Sequence, residues 1–65
     1  MKAIIDGIAV TTNTIWKSDH DEYVVITDID SKEFGIYIRF LDTGQIRWCD
    51  DRAFLRSFYE IEAKE

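Results

Sequence analysis

The segment GIYIRFLDTGQIRWC, residues 35–49, constrains the fold more than any other part of this 65-residue chain. Apolar residues occur at every second position on both sides of a turn signal, and a period of two is typical of strands with one buried face. A three-residue turn, Asp42-Thr43-Gly44, with Gly44 in the left-handed conformation, keeps the apolar residues of both strands together. That register pairs Leu41 with Gln45, Phe40 with Ile46, Arg39 with Arg47 and Ile38 with Trp48. The segment therefore predicts an antiparallel hairpin with a single apolar face.

The alternation also predicts which side chains of this hairpin are buried. In the segment FGIYIRFL, the face with Phe34 is expected to point inward and the face with Tyr37 outward. A two-residue turn at Thr43-Gly44 would pair Phe40 with Arg47 and mix the two faces, so it is rejected. The expected core includes Ile36, Ile38, Phe40, Ile46 and Trp48.

The remaining segments predict three more strands and a short helix. The β-branched stretch after the Gly7 break predicts a first strand at Ile8–Trp16, with Met1–Ile5 as a short pairing segment. YVVITDI, residues 23–29, predicts the second strand, and YEIEA, residues 59–63, the last. Between them, DDRAFLRSF begins with acids suited to a helix N-terminus and spaces two phenylalanines four apart, which predicts one or two helical turns.

This order of elements predicts a single all-β domain over residues 1–65, a small five-stranded SH3-like barrel with one helical turn before the last strand. An aromatic strand, YVVI, an alternating strand ending at a glycine turn, and FLRSF together resemble SH3-like, Tudor-like and KOW-like barrels. Residues 16–62 are also similar to certain small uncharacterised prophage-encoded proteins, which have a valine-rich strand and a cysteine shortly before an F…F segment. The resemblance implies a binding module. This chain departs from these families in two respects. Its loops are acidic, whereas KOW-like barrels carry basic residues there, and no cage of aromatic residues can be assigned.

The charges are divided along the chain, and the division suggests the type of partner. Residues 19–33 carry six acids against one lysine, a net of −5, which equals the formal charge of the whole chain. A small body with this charge favours basic partners and disfavours polyanions. The leading hypothesis is therefore a small regulator that binds a basic surface on a host protein, such as an enzyme that handles nucleic acid. The acidic residues expected to make this contact are Asp21, Glu22, Asp28, Asp30 and Glu33.

The arginines suggest a second hypothesis. All four lie in residues 39–56, against three acids, a net of +1. In the predicted register Arg39 faces Arg47, and like charges opposed across two strands are unfavourable unless an anion lies between them. Solvated side chains or an internal acid are the simpler interpretation. The alternative is an anion site or nucleic-acid surface made of Tyr37, Arg39, Arg47, Arg52 and Arg56.

The sequence indicates a non-enzymatic protein without a cofactor or a metal. SDHDE, around His20, matches no metal-ligand spacing and suits a polar turn. DIDSKE lacks the glycine and glutamate spacing of a calcium loop. Cys49 is followed by acids that raise a thiol pKa, and His20 lies in a different loop, so a Cys-His nucleophile pair is not expected.

The sequence gives three further expectations about setting and assembly. No apolar run approaches the roughly 18 residues of a membrane span, and Asp6 interrupts any signal-type apolar start, so a cytoplasmic protein without membrane contact is expected. The single cysteine, Cys49, cannot form an internal disulfide, so no disulfide is expected to stabilise the fold. The absence of proline and the scarcity of lysine leave a strand edge unguarded, so homo-oligomerisation through that edge is a third hypothesis.

Overall fold

The computed structural model describes residues 1–61, which form seven antiparallel strands and one short helix. Two of these strands form a separate hairpin, and the other five form one sheet in the order β6-β5-β4-β3-β7. The fold is mainly β, as predicted, and the described strands do not close into a barrel. The elements are β1 (Lys2–Ile5), β2 (Ile8–Thr11), β3 (Ile15–Ser18), β4 (Tyr23–Asp30), β5 (Gly35–Phe40), β6 (Ile46–Asp50), α1 (Asp51–Ser57) and β7 (Phe58–Glu60).

The strand boundaries agree with the predicted ones only in part. The pairing segment Met1–Ile5 is confirmed as β1, which pairs with β2. A single strand over Ile8–Trp16 is wrong because the chain turns between β2 and β3, where Asn13 has a φ of 67°. Asn tolerates this left-handed conformation, and the turn allows β1–β2 to fold back as its own hairpin. The predicted five strands are therefore seven, and residues 62–63 of the predicted last strand lie outside the described residues.

The core lies between the large sheet, the β1–β2 hairpin and α1. Three of the five predicted core residues, Ile36, Ile38 and Phe40, are buried and confirm the alternation in β5. The other core side chains come from elements on either side in the sequence, and Trp16 is among them at 3% exposed. The ten buried apolar residues are Ile5, Val10, Trp16, Val24, Ile26, Ile29, Ile36, Ile38, Phe40 and Phe54.

The β5–β6 hairpin has a different register from the predicted one. Its loop has four residues, Leu41–Gly44, and the Gly44 N–H donates to the Phe40 carbonyl at 2.8 Å. Gly44 has a φ of 77°, which confirms its predicted left-handed conformation. The observed pairs are Tyr37 with Trp48, Ile38 with Arg47 and Arg39 with Ile46. The predicted register, which opposed Arg39 to Arg47, is therefore wrong by one residue.

This shift reverses the orientation of every side chain on β6, because successive residues of a strand point to opposite faces. Ile46 and Trp48 are 60% and 46% exposed, so their predicted place in the core is wrong. Arg47 and Cys49 occupy the inner face instead. The Arg47 guanidinium carbon lies 5.1 Å from the centre of the Phe40 ring, so an arginine covers this margin of the core.

The predicted helix forms and closes the core on one side. Asp50 is its N-cap, and a carboxylate oxygen of Asp50 accepts a hydrogen bond from the Ala53 N–H at 3.3 Å. Phe54 is 1% exposed, and its ring centroid lies 5.0 Å from that of Trp16 and 4.9 Å from that of Phe58. Within residues 1–61, no helix has the length and apolar character needed to cross a membrane.

Candidate binding surfaces

The residues expected to form one anion site lie on separate parts of the surface. Arg39 and Tyr37 lie on the sheet face that points away from the core, which we call the outer face. Arg47 lies on the opposite side of the sheet, beside Phe40. The pair of facing guanidinium groups that motivated an anion site is therefore absent.

Arg47 and Arg56 border a shallow cleft of about 300 Å³ on the inner side of β6, together with Cys49 and His20. Burial raises the pKa of the Cys49 thiol, and the nearby charge of Arg47 lowers it to a smaller extent. A raised pKa leaves little thiolate at neutral pH, so this thiol is not activated. Within residues 1–61, no group of three or more His, Cys, Asp or Glu side chains is placed to hold a metal ion.

The acidic residues expected to bind a basic partner also form no single patch. Asp21 and Glu22 precede β4, whereas Asp28, Asp30 and Glu33 lie at its far end or in the next turn. Because β4 has eight residues, the two groups are separated by roughly 25 Å of extended chain. A partner that contacts both groups has to span the length of the sheet.

Asp21 and Asp30 are among these acids that already have partners within the chain. The Asp21 carboxylate lies 3.2 Å from the Lys17 ammonium, and this hydrogen bond raises the pKa of Lys17. Asp30 accepts hydrogen bonds from the N–H groups of Lys32 and Glu33 at 3.1 and 3.2 Å, so it stabilises the turn after β4. Both carboxylates remain at the surface, but part of their hydrogen-bonding capacity is already used.

A larger opening lies where the β1–β2 hairpin meets α1 and the β4–β5 turn. It has a volume of about 470 Å³ and adjoins a smaller cleft of about 210 Å³. Its apolar lining includes two exposed side chains, Ile4 and Phe34, at 64% and 66% exposure. Carboxylates surround them, and Arg52, the one cation among the described residues that line the opening, is paired with Asp6 at 3.3 Å. We call this opening the Phe34 cleft, and it is defined by Ile4, Asp6, Asp30, Phe34, Asp50 and Asp51.

Phe34 has an unusual backbone conformation. Its φ is 55°, in the left-handed region, where a side chain with a Cβ costs about 1–2 kcal/mol. Its carbonyl accepts a hydrogen bond from the Asp51 N–H at 2.8 Å, which holds the turn against the start of α1. The exposed ring recovers little of the backbone cost by burial, and its predicted inward position is wrong. Strained, exposed aromatic residues of this kind are frequent at binding sites.

The outer face is the most apolar exposed surface of the described chain. A row of side chains crosses it from β6 to β3, as the pairs Ile46 with Arg39, Arg39 with Val25 and Val25 with Ile15 show. Two cations, Lys17 and Arg39, lie among the apolar side chains. The exposed apolar residues of this face are Ile15, Tyr23, Tyr37, Ile46, Trp48 and Tyr59 on the strands, and Leu41 just after β5.

Trp48 is held in place on the outer face by a glycine. Gly35 lies on the neighbouring strand, and a methyl group added there would overlap the Trp48 indole ring. The indole therefore lies over the backbone of β5, where other residues would carry a side chain. Gly35 does not have a left-handed φ, so its backbone conformation does not require glycine. The position requires glycine because the Trp48 ring occupies the space of a side chain.

Gly35→Ala is expected to displace the Trp48 indole and to lower the free energy of unfolding by about 1–3 kcal/mol. Thermal denaturation gives the stability, and the shift of the Trp48 indole N–H resonance reports the ring position. Trp48→Ala provides the matched background, because Gly35→Ala there should be neutral or stabilising by up to about 1 kcal/mol. Equal losses in both backgrounds would contradict this contact.

Sequence reasoning missed the two surfaces because their signals depend on tertiary placement. Phe34 precedes Gly35 in a turn, and the regular alternation assigned its ring to the core. Trp48 and Ile46 would lie on the same face as the buried side chains of β5 only if the loop had three residues. The contact between Gly35 and the Trp48 ring becomes visible only once the register is known.

No protein-family profile, curated protein or solved structure matches this chain significantly. The assignment of function therefore depends on the chain's own surfaces.

Proposed function

We propose that this protein is a cytoplasmic, non-enzymatic binding module, and that the Phe34 cleft binds a basic, apolar segment of a partner protein. The observation that carries the proposal is the pair of exposed apolar side chains, Phe34 and Ile4, enclosed by carboxylates. Exposed apolar surface rimmed by polar groups is typical of interaction sites. The free thiol of Cys49 suits a reducing compartment.

The strand order supports an SH3-like architecture for this module. Strands β3 to β6 form an antiparallel meander, and β3 also pairs with β7 on its other side. SH3-like barrels share this order, with the first strand between the second and the last. The short helix α1 directly before β7 agrees with the same architecture. Such small barrels are often binding modules, which fits the proposal.

The charge around the cleft selects the partner. Among the described residues that line the cleft, Asp6, Asp30, Asp50 and Asp51 are opposed by Arg52 alone, and the chain carries a net charge of −5. Lysine or arginine next to a leucine-sized side chain would place cations at the rim and an apolar group against Phe34. A host enzyme that handles nucleic acid offers such a basic surface, and a small prophage-type regulator could act by covering it.

Nucleic-acid binding through the arginines is the second hypothesis. The observed register removes the original basis of this hypothesis, because it places Arg39 and Arg47 on opposite sides of the sheet. What favours it now is the combination of Arg39, Tyr37 and Trp48 on the outer face, because aromatic rings beside a guanidinium can stack on bases. The net charge of −5 opposes it at long range.

An NMR titration with short model peptides tests the proposal. A peptide of alternating lysine and leucine should shift the amide resonances around the Phe34 cleft, with an affinity that falls as salt rises. A matched peptide of alternating glutamate and leucine should not. Single-stranded oligonucleotides should also leave the spectrum unchanged. Shifts by oligonucleotides centred on Arg39, or equal binding of both peptides, would contradict the proposal.

Two variants separate loss of binding from loss of fold. Phe34→Gly removes the ring and the backbone strain together, so it should be at least as stable as the parent and yet bind the basic peptide poorly. Asp6→Asn with Asp51→Asn removes two of the four carboxylate charges at the rim, and Asp19→Asn with Asp42→Asn removes the same charge elsewhere. Only the first double variant should weaken peptide binding, and equal weakening by both would indicate net charge alone.

A further inference from the structure

The exposed surface of the apolar residues on the outer face reaches or exceeds the largest apolar patch of a typical monomer. These seven residues are 36% to 60% exposed, which amounts to on the order of 500–800 Å² of whole-residue surface at about 150–250 Å² for each residue. The largest apolar patch on a typical monomer is about 300–600 Å². We propose that the outer face binds the outer face of a second copy of this chain in a two-fold symmetric dimer.

The charges on this face identify the second copy as its partner. Arg39 on β5 and Asp28 on β4 are both exposed, and neither forms an ion pair within residues 1–61. One Asp28 oxygen accepts the Ile29 N–H at 2.9 Å, which leaves the other oxygen free. Lys17, the other cation of this face, is already paired with Asp21. Arg39 and Asp28 are therefore charges of opposite sign on this face without an ion-pair partner among the described residues.

Such a face is complementary to itself. A two-fold axis in the plane of contact, midway between Arg39 and Asp28, brings each Arg39 against the partner's Asp28, because residue i contacts residue j and residue j contacts residue i. A polyanion would meet Asp28 and the net charge of −5, and a basic partner would meet Arg39. Only a partner carrying both signs in this arrangement pairs both charges.

The area and rigidity of the face also suit a dimer. The exposed apolar surface approaches the roughly 800 Å² that each partner contributes to a standard interface. Trp48 is fixed over Gly35 before association, so little side-chain entropy is lost when a second copy covers it. The dimer does not involve the Phe34 cleft, so the two proposals can fail independently.

Sedimentation equilibrium of the intact chain tests the dimer directly. The average mass should rise from monomer to dimer between about 1 µM and 1 mM. Tryptophan emission should move to shorter wavelength over the same range, and Trp48 should cause the change because Trp16 is already only 3% exposed. A chain that stays monomeric at about 1 mM would overturn the proposal.

Charge reversal distinguishes this face from any other contact. Arg39→Asp or Asp28→Arg alone sets like charges against each other, and each should raise the dimer Kd at least tenfold, whereas the combined reversal should restore it to within about threefold. Asp42→Arg, in the β5–β6 loop, is the matched control and should leave the Kd within about threefold of the parent. A dimer that survives both single reversals, or a double variant that stays monomeric, would overturn this interface.

Discussion

Ile38→Asp should abolish folding. Ile38 lies in the middle of β5, between β4 and β6, and is completely buried. An unpaired carboxylate in that position costs several kcal/mol. A domain of this size has about 3–5 kcal/mol of total stability, so the substitution should leave no folded population. Far-ultraviolet circular dichroism and the dispersion of the amide NMR spectrum measure the outcome.

Ile46→Asp is the matched control and also tests the register. Ile46 is 60% exposed on the outer face, so a carboxylate there remains in water and the variant should stay folded. In the register predicted from the sequence, Ile46 would be buried opposite Phe40, and both variants would unfold. Measurement at low micromolar concentration keeps association through the outer face from influencing the result. An unfolded Ile46→Asp variant would contradict the observed pairing.

Phe54→Ala should destabilise the domain by about 3–5 kcal/mol, which approaches its total stability. The ring is the only fully buried side chain of α1 and contacts both Trp16 and Phe58. Its removal leaves a cavity and detaches the helix from the sheet. Chemical denaturation measures the loss, and the emission of Trp16 should shift to longer wavelength as its cover is removed.

The same substitution at Phe34 provides the comparison. Phe34 is 66% exposed, so Phe34→Ala should change the free energy of unfolding by less than about 0.5 kcal/mol. Two phenylalanines of one chain should therefore differ by several kcal/mol for an identical change. If Phe54→Ala melts with the parent, the helix does not contribute to the core in the way its contacts indicate.

The sequence was informative where one local rule decided the structure. The alternation in β5, the acid at the helix N-terminus and the left-handed glycine at Gly44 were each predicted from a few residues, because periodicity, capping and turn chemistry act locally. Burial of Ile36, Ile38 and Phe40 followed from the same alternation.

The register of β6 was not determined by such a rule. Alternation shows that Ile46 and Trp48 share a face, but it does not show which face points inward. The choice depends on the length of the β5–β6 loop. The loop has four residues, whereas three were predicted, and this difference places Arg47 and Cys49 on the core side. The Arg47 guanidinium group lies over the Phe40 ring, where the predicted register placed Ile46.

The candidate surfaces were the least predictable part. The Phe34 cleft is built from the β1–β2 hairpin, one turn and the start of α1, which are distant in sequence. The proposed anion site relied on the wrong register, so its arginines were separated once the true pairing was known. Net charge indicated the type of partner, but it could not place the contacts.

The strand order has a consequence for how the chain acquires its structure during synthesis. Strands β3, β4 and β5 each pair with the next strand in the sequence, so these three pairings form after short loop closures. The pairing of β3 with β7 is different, since Trp16 meets Glu60 across most of the chain. At a translation rate of about 5–20 residues per second, β7 is synthesised several seconds after β3, so β3 lacks its second neighbour during that time. During that interval its backbone N–H and C=O groups form an open edge, which a nascent neighbouring chain could pair with before β7 arrives.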